Sequence, residues 1–199
     1  MIHNKLIILG AGGHGRVVAD VAVTLGYYSE ILFLDDADIV EKNIAVIGKI
    51  ADFVRYIDSA DFFVAVGNNE TRKKLFERLK SHDANVVSLV HPNAVVCRDV
   101  TLGAGCVVMA GSVVNTGSKI GNGVIINTSS SVDHDCLIGD FSHVSVGVHL
   151  AGVVADIHHR TRYHQFPQVA AAAEGTAGDA VDCAGYRKGG ALVGRRVLH

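Results

Sequence analysis

From residue 5 to about residue 88, short aliphatic runs alternate with stretches whose apolar residues recur at helical spacing, which is the pattern of a small α/β unit on a parallel sheet. Strands are expected over residues 5–9, 31–34, 62–66 and 86–89. "GRVVADVAVTLG" (15–26) reads as a helix closed by Gly26, and "NNETRKKLFERLKSH" (68–82) as a second helix opened by asparagine caps. The cluster Arg72, Lys73 and Lys74 on that helix is expected to be a solvated face. Further along, every sixth residue is aliphatic: Val96, Leu102, Val108, Val114, Ile120, Ile126, Val132, Ile138, Val144 and Leu150. Neither a helix nor a hairpin has a period of six. The period is that of a hexapeptide repeat, in which each segment makes one short face of a parallel β-helix and its aliphatic residue points into the core.

The period stops after Leu150. The same register next places Asp156, Arg162, Gln168 and Glu174, none of which suits an apolar core. The expected division is an α/β unit over residues 1–90, a β-helix over 91–155 and an irregular C-terminal segment over 156–199. A natural extension and a shifted reading frame both account for that last segment. Skipping one base at the codon for His159 permits Ile-Gly with a second Gly one residue later, the start of a further hexapeptide.

Composition narrows the classes of function. The net charge of −2 supplies no basic footprint, so neither nucleic acid nor an anionic membrane is an expected partner. Cys97, Cys106, Cys136 and Cys183 form no C-x-x-C pair, so a structural zinc site is not expected and buried free thiols are. The N-terminal apolar run is too short for a signal peptide, and no stretch nears the roughly 20 apolar residues of a membrane span. The expected location is the cytoplasm.

Gly10, Gly12 and Gly15 follow the first strand at G-x-G-x-x-G spacing, a strand-to-helix turn that lets backbone N–H groups approach a phosphate. Asp35 and Asp36 stand at the carboxyl end of the second strand, where such sheets present ligand-binding groups. The same two carboxylates could instead cap the following segment. A nicotinamide-dependent oxidoreductase is the obvious reading of the glycines, but about 85 residues are too few for two mononucleotide-binding halves.

Four stretches coincide with one family: "GAGGHG" (10–15), "FLDD" (33–36), "FFVAVGNNETRKK" (62–74) and "INTSSSVDHDCLIGDFSHVSVG" (126–147). Over roughly residues 5–155 the chain resembles the sugar acyltransferases that acetylate nucleotide-activated amino sugars, in particular UDP-4-amino-sugar N-acetyltransferases of bacillosamine synthesis and the related sialic acid O-acetyltransferases. The resemblance implies a Rossmann-like N-terminal domain that holds a UDP-amino-sugar. It also implies a left-handed β-helix that binds acetyl-CoA between subunits of a homotrimer, without a metal. By position, His134 matches the general base, Asp135 the carboxylate that raises its basicity, and Asn127 an active-site asparagine. His143 matches a residue of the acetyl-CoA site; Gly12, Gly13, His14, Gly15, Asp35, Asp36 and Gly67 match sugar-nucleotide contacts.

Histidine suits this chemistry because its pKa near 6.5 leaves it largely neutral at pH 7 and still able to take the proton an attacking amine sheds. The expected reaction is transfer of acetyl from acetyl-CoA to the 4-amino group of the sugar. The alternatives are O-acetylation of sialic acid, or an impaired, binding-only chain. The resemblance implies further coils after residue 155 that complete the acetyl-CoA site, and no counterpart of them is legible here.

Overall fold

The protein is described by a computed structural model at residues 3–38, 44–155 and 169–170. Its first unit is a sheet of five parallel strands, β1 (Lys5–Leu9), β2 (Glu30–Leu34), β3 (Val46–Gly48), β4 (Asp61–Val64) and β5 (Asn85–Val86), in the order β3-β2-β1-β4-β5. β1 is central, and both of its faces are covered. Leu6, Ile7 and Ile8 are each fully buried, which is why the strand reads as an unbroken aliphatic run rather than an alternation.

Helix α1 (Gly13–Leu25) follows β1, and helix α2 (Asn69–Lys80) follows β4. The Asn68 side chain caps α2 by accepting a hydrogen bond from the Thr71 N–H at 3.0 Å. Two short elements carry too little periodicity to be foreseen, β3 and the 3₁₀ turn Ile50–Tyr56. The strand expected over 86–89 is divided: β5 ends at Val86, and Leu89–Val90 (β6) belongs to the second unit, where the Leu89 N–H donates to the Cys106 carbonyl.

The second unit is a three-sided parallel coil. Ten two-residue strands follow β6 at intervals of six: β7 (Val95–Val96), β8 (Thr101–Leu102), β9 (Val107–Val108), β10 (Val113–Val114), β11 (Lys119–Ile120), β12 (Ile125–Ile126), β13 (Ser131–Val132), β14 (Leu137–Ile138), β15 (His143–Val144) and β16 (His149–Leu150). Each strand pairs with the one three strands later, so that Val95 meets Val113 and Lys119 meets Leu137. The first face is β7, β10, β13 and β16, the second β8, β11 and β14, and the third β6, β9, β12 and β15. A further strand, β17 (Val169–Ala170), pairs with β16.

All ten aliphatic positions of the six-residue series line one core; Val108 to Leu150 are buried, and Val96 and Leu102 are partly so. A second inward position, two residues earlier in each repeat, holds Cys106, Ser112, Ser118, Val124, Ser130, Cys136, Ser142 and Val148, all buried. These are small because they fill the vertices of a narrow triangle. Ser112 and Ser118 donate their hydroxyls to the carbonyls of Asn127 and Asp133 at 2.7 and 2.8 Å, so the polar atom is not left unpaired. Cys106 and Cys136 are buried free thiols in this series, and Cys97 is partly exposed.

A third series sets the vertices: Gly105, Gly111, Gly117, Gly123, Ser129, Asp135, Phe141, Gly147 and Val153, again six apart, all have positive φ. Glycine adopts that conformation without strain, and at Asp135 the φ of 58° has a consequence for the site.

The third face is not solvated. Leu89, Val107 and Ile125 project from it into one cluster with Leu6, Ile8, Val18 and Phe33 of the first unit. Arg72, expected on a solvated helix face, is only 1% exposed: α2 turns this residue into the seam with the coil, while Lys73 and Lys74 stay outside. The irregular segment foreseen over 156–199, with Cys183, lies outside the described residues apart from β17. Among the described residues, no helix is long and apolar enough to cross a membrane.

Candidate functional site

The carboxyl ends of β1, β2 and β4 bring three loops to one edge of the first sheet. The strand order reverses at β1, the position where open α/β sheets leave a ligand-binding crevice. In the first loop, Gly15 is buried so closely on the Gly10 carbonyl that a Cβ there would collide with it. Gly15, expected at the substrate, has a packing role here as well: its missing side chain lets α1 start directly behind β1. Gly12 and Gly13 are exposed, with open space in front of Gly12, at the N-terminus of α1 where N–H groups lack helical partners.

Asp35 holds this loop in place. Its Oδ2 accepts from the Ala11 N–H at 2.7 Å and its Oδ1 from the Ala37 N–H at 2.8 Å. Asp36 accepts from the Ile50 N–H at 3.0 Å and so caps the 3₁₀ turn. Both carboxylates thus make backbone hydrogen bonds that hold the loop and the turn. Gly67, in the third loop, is exposed, and its carbonyl accepts from Arg72 Nη1 at 3.3 Å.

His14, in the first turn of α1, faces the seam. Its Nε2 is buried without a hydrogen-bond partner, and burial holds its pKa down at about 4, with the charges on His143 and Arg72 acting in the same direction. His143 lies on β15, at the upper end of the third face, and its pKa is also lowered to about 4 by burial and by Arg72. Both rings are thus neutral at pH 7. The Asn127 side chain, next to β12, fixes the tautomer of His143. Its Oδ1 accepts from the Thr128 N–H at 2.8 Å, so its Nδ2 donates to His143 Nε2 at 2.9 Å, leaving the ring proton on Nδ1. Asn127 is therefore partnered with His143, not with His134.

His134 and Asp135 occupy the vertex between the first and second faces. Asp133 prepares the turn by accepting from the His134 N–H at 2.8 Å and from Asn115 Nδ2 at 2.9 Å, which keeps its own carboxyl ionised to lower pH than usual. His134 Nδ1 lies 2.9 Å from Asp135 Oδ2. That hydrogen bond, with the charges of Asp133 and Asp135, raises the imidazole pKa above 6.5 although burial opposes it. In the neutral ring the proton sits on Nδ1 toward the carboxylate, and Nε2 keeps a lone pair as a base requires. Half the side chain is exposed, at 52%. The ring lies against Gly152 of the next coil; a Cβ there would come within 2.5 Å of Nε2.

The expected residues therefore fall into two groups. Gly12, Gly13, His14, Gly67, Asn127 and His143 cluster around the seam of sheet and third face. His134 and Asp135 lie at the vertex opposite that face, and among the described residues the first unit packs on the third face, away from them. A cleft of about 540 Å³ between α2 and the coil, lined by Glu70, Lys73, Glu77 and Asp140 among others, contains none of the expected residues. Sequence reading overlooked Asn115, Gly152 and Arg72. Positions 115 and 134 are 19 apart and 134 and 152 are 18 apart, about one turn of the coil, so the first two become visible once the repeat is counted in threes.

Residues 5–79 match the family of the PglD N-terminal domain. The chain is 32% identical to the UDP-N-acetylbacillosamine N-acetyltransferase of Bacillus subtilis (strain 168) over 115 residues, 53% of this chain and 51% of that protein. It spans about half the length of the curated relatives it matches. Among solved structures, it superposes on the acetyltransferase domain of PglB from Neisseria gonorrhoeae FA1090, in complex with acetyl coenzyme A, with a TM-score of 0.74 and 42% identity, covering 77% of this chain and 76% of that one. PerB from Caulobacter crescentus, in complex with CoA and GDP-perosamine, gives a TM-score of 0.71 and 36% identity, covering 76% and 73%. With 42% identity across three quarters of a solved relative at a TM-score of 0.74, the chain belongs to the family of PglB- and PerB-type acetyltransferases.

Proposed function

We propose that the protein transfers the acetyl group of acetyl-CoA to the 4-amino group of a UDP-4-amino-sugar, with His134 as general base. The observation that carries this reading is the His134–Asp135 pair, which leaves Nε2 basic on a half-exposed side chain. The amine nitrogen attacks the thioester carbonyl and its proton passes to His134 Nε2; the C–S bond breaks, and the CoA thiolate takes that proton from the imidazolium. Asp135 orients the ring and stabilises its cation. The mechanism needs neither a metal nor a covalent enzyme intermediate.

The coil is a left-handed β-helix of hexapeptide repeats, and three chains associate through it. The two separated groups of residues support that assembly. His134 of one copy meets the nucleotide loops of a second copy, since its own first unit packs on the opposite face of the coil. Gly12, Gly13 and His14 face the diphosphate, Gly67 lines the sugar-nucleotide crevice and His143 contacts acetyl-CoA. Asp35 and Asp36 reach ribose or uracil with the acceptor capacity their backbone bonds leave free.

The test is release of CoA from acetyl-CoA by purified protein offered a UDP-4-amino-sugar, a GDP-4-amino-sugar or a sialic acid. Turnover with the UDP-sugar that falls about 10²- to 10⁴-fold in His134→Ala supports the reading. Turnover with sialic acid alone, or activity unchanged in His134→Ala, overturns it.

A further inference from the structure

The seam between the sheet and the coil is held by one fully buried cation. Arg72 projects from the first turn of α2, and all three of its nitrogens donate. Nε donates to the Gly123 carbonyl at 2.7 Å; Nη1 donates to the carbonyls of Val66 and Gly67 at 2.9 and 3.3 Å. Nη2 donates to Asn69 Oδ1 at 2.9 Å and to the carbonyls of Phe141 and Ser142 at 2.5 and 3.4 Å. None of these six acceptors is a carboxylate. Among the described residues, a charge buried at 1% exposure thus has oriented dipoles as its hydrogen-bond acceptors, an arrangement that only the planar, five-donor guanidinium can satisfy.

The acceptors come from two places. Val66 and Gly67 form the loop after β4, on the crevice side; Gly123, Phe141 and Ser142 lie at the vertex between the second and third faces, and Ser142 directly precedes His143. We infer that Arg72 is a positioning residue which registers the loop 66–69 against the coil edge 141–143, and so sets the sugar-nucleotide crevice at its working distance from His143. The apolar contacts of the seam lack this directionality. Leu89, Val107 and Ile125 bury area, whereas the guanidinium fixes two backbone segments to within a hydrogen-bond length.

Lysine keeps the charge but offers three donors on one atom, so Arg72→Lys cannot hold both segments. Its kinetic readout rests on the acetyl-transfer reading; a second readout does not. In hydrogen–deuterium exchange of the full chain, Arg72→Lys is expected to speed exchange at 66–69 and at 122–125 and 141–143 together, while β1 and β9 keep wild-type protection. In turnover, kcat is expected to fall about 100-fold, the effect of a misplacement of about 1 Å, with the KM of each substrate changed less than about threefold. Asn69→Ala, which removes one side-chain acceptor, is expected to show the same pattern more weakly. Exchange raised throughout the molecule, raised at one segment only, or unchanged overturns the inference, as does kcat retained per folded molecule. Wild-type protein inactive toward every amino sugar counts against the acetyl-transfer reading instead, and the exchange pattern then decides the role of Arg72.

Discussion

His134 Nδ1 and the Oδ2 of the adjacent Asp135 lie 2.9 Å apart, and Asp135, with φ of 58°, sits on the left-handed vertex position. The turn of the coil folds the carboxylate back on the ring. The proposed base works as the neutral imidazole, so activity is expected to rise as pH climbs through the His134 pKa, and the raised pKa puts that rise above 6.5. Asn tolerates the left-handed region and keeps the shape of Asp. Asp135→Asn is therefore expected to shift the acidic limb of kcat/KM to lower pH and to reduce its plateau. A pH–rate profile measures both changes; a limb that stays in place refutes the pairing as the cause.

Gly152 makes room for the His134 ring, since a Cβ would come within 2.5 Å of Nε2. Gly152→Ala is expected to lower kcat by an order of magnitude or more while shifting Tm by a few degrees at most, because the residue lies near the end of the described coil and not in its core. Thermal unfolding beside steady-state kinetics separates the two effects.

His14 and His143 have pKa values of about 4 in the folded chain and near 6.5 when unfolded. Above pH 6.5 both rings are neutral in either state and pH has no leverage. Between 6.5 and about 4 the unfolded chain binds protons that the folded chain does not, so stability falls as pH falls. Tm of His14→Gln is accordingly expected to decline less than wild type between pH 6.5 and 4.5; parallel curves contradict the buried, neutral state of His14.

Inward and outward positions of the coil have different energetic weight. Ile126 is fully buried whereas Val95 on the first face is 58% exposed. Ile126→Ala is expected to cost about 2–5 kcal/mol of stability and Val95→Ala no more than about 0.5 kcal/mol in the isolated chain. Urea unfolding checks both values.

The period of six by itself determined much of the second unit. An aliphatic residue at every sixth position is compatible only with a core that each strand meets once, and Val108 to Leu150 meet it. The aliphatic run of β1 and the Asn68 cap likewise act locally, and local signals survive in a linear reading. The sequence placed His134 beside Asp135, and the motif order pointed to a nucleotide crevice.

Only the tertiary structure decided what depends on residues far apart in the chain. The charges of Arg72 and Lys73 are equivalent in sequence, but the packing of α2 on the coil buries one guanidinium against carbonyls 51 and 69 residues away. That Asp35 also holds the Ala11 N–H, 24 residues earlier, is visible only in the folded chain. The partner of Asn127, His143 on the neighbouring strand of the coil, likewise emerges only from coiling. A chain's own order records which side chains are near in sequence; burial and hydrogen bonding between distant segments are settled by packing, and there the burial of Arg72 and the partners of Asp35 and Asn127 were decided.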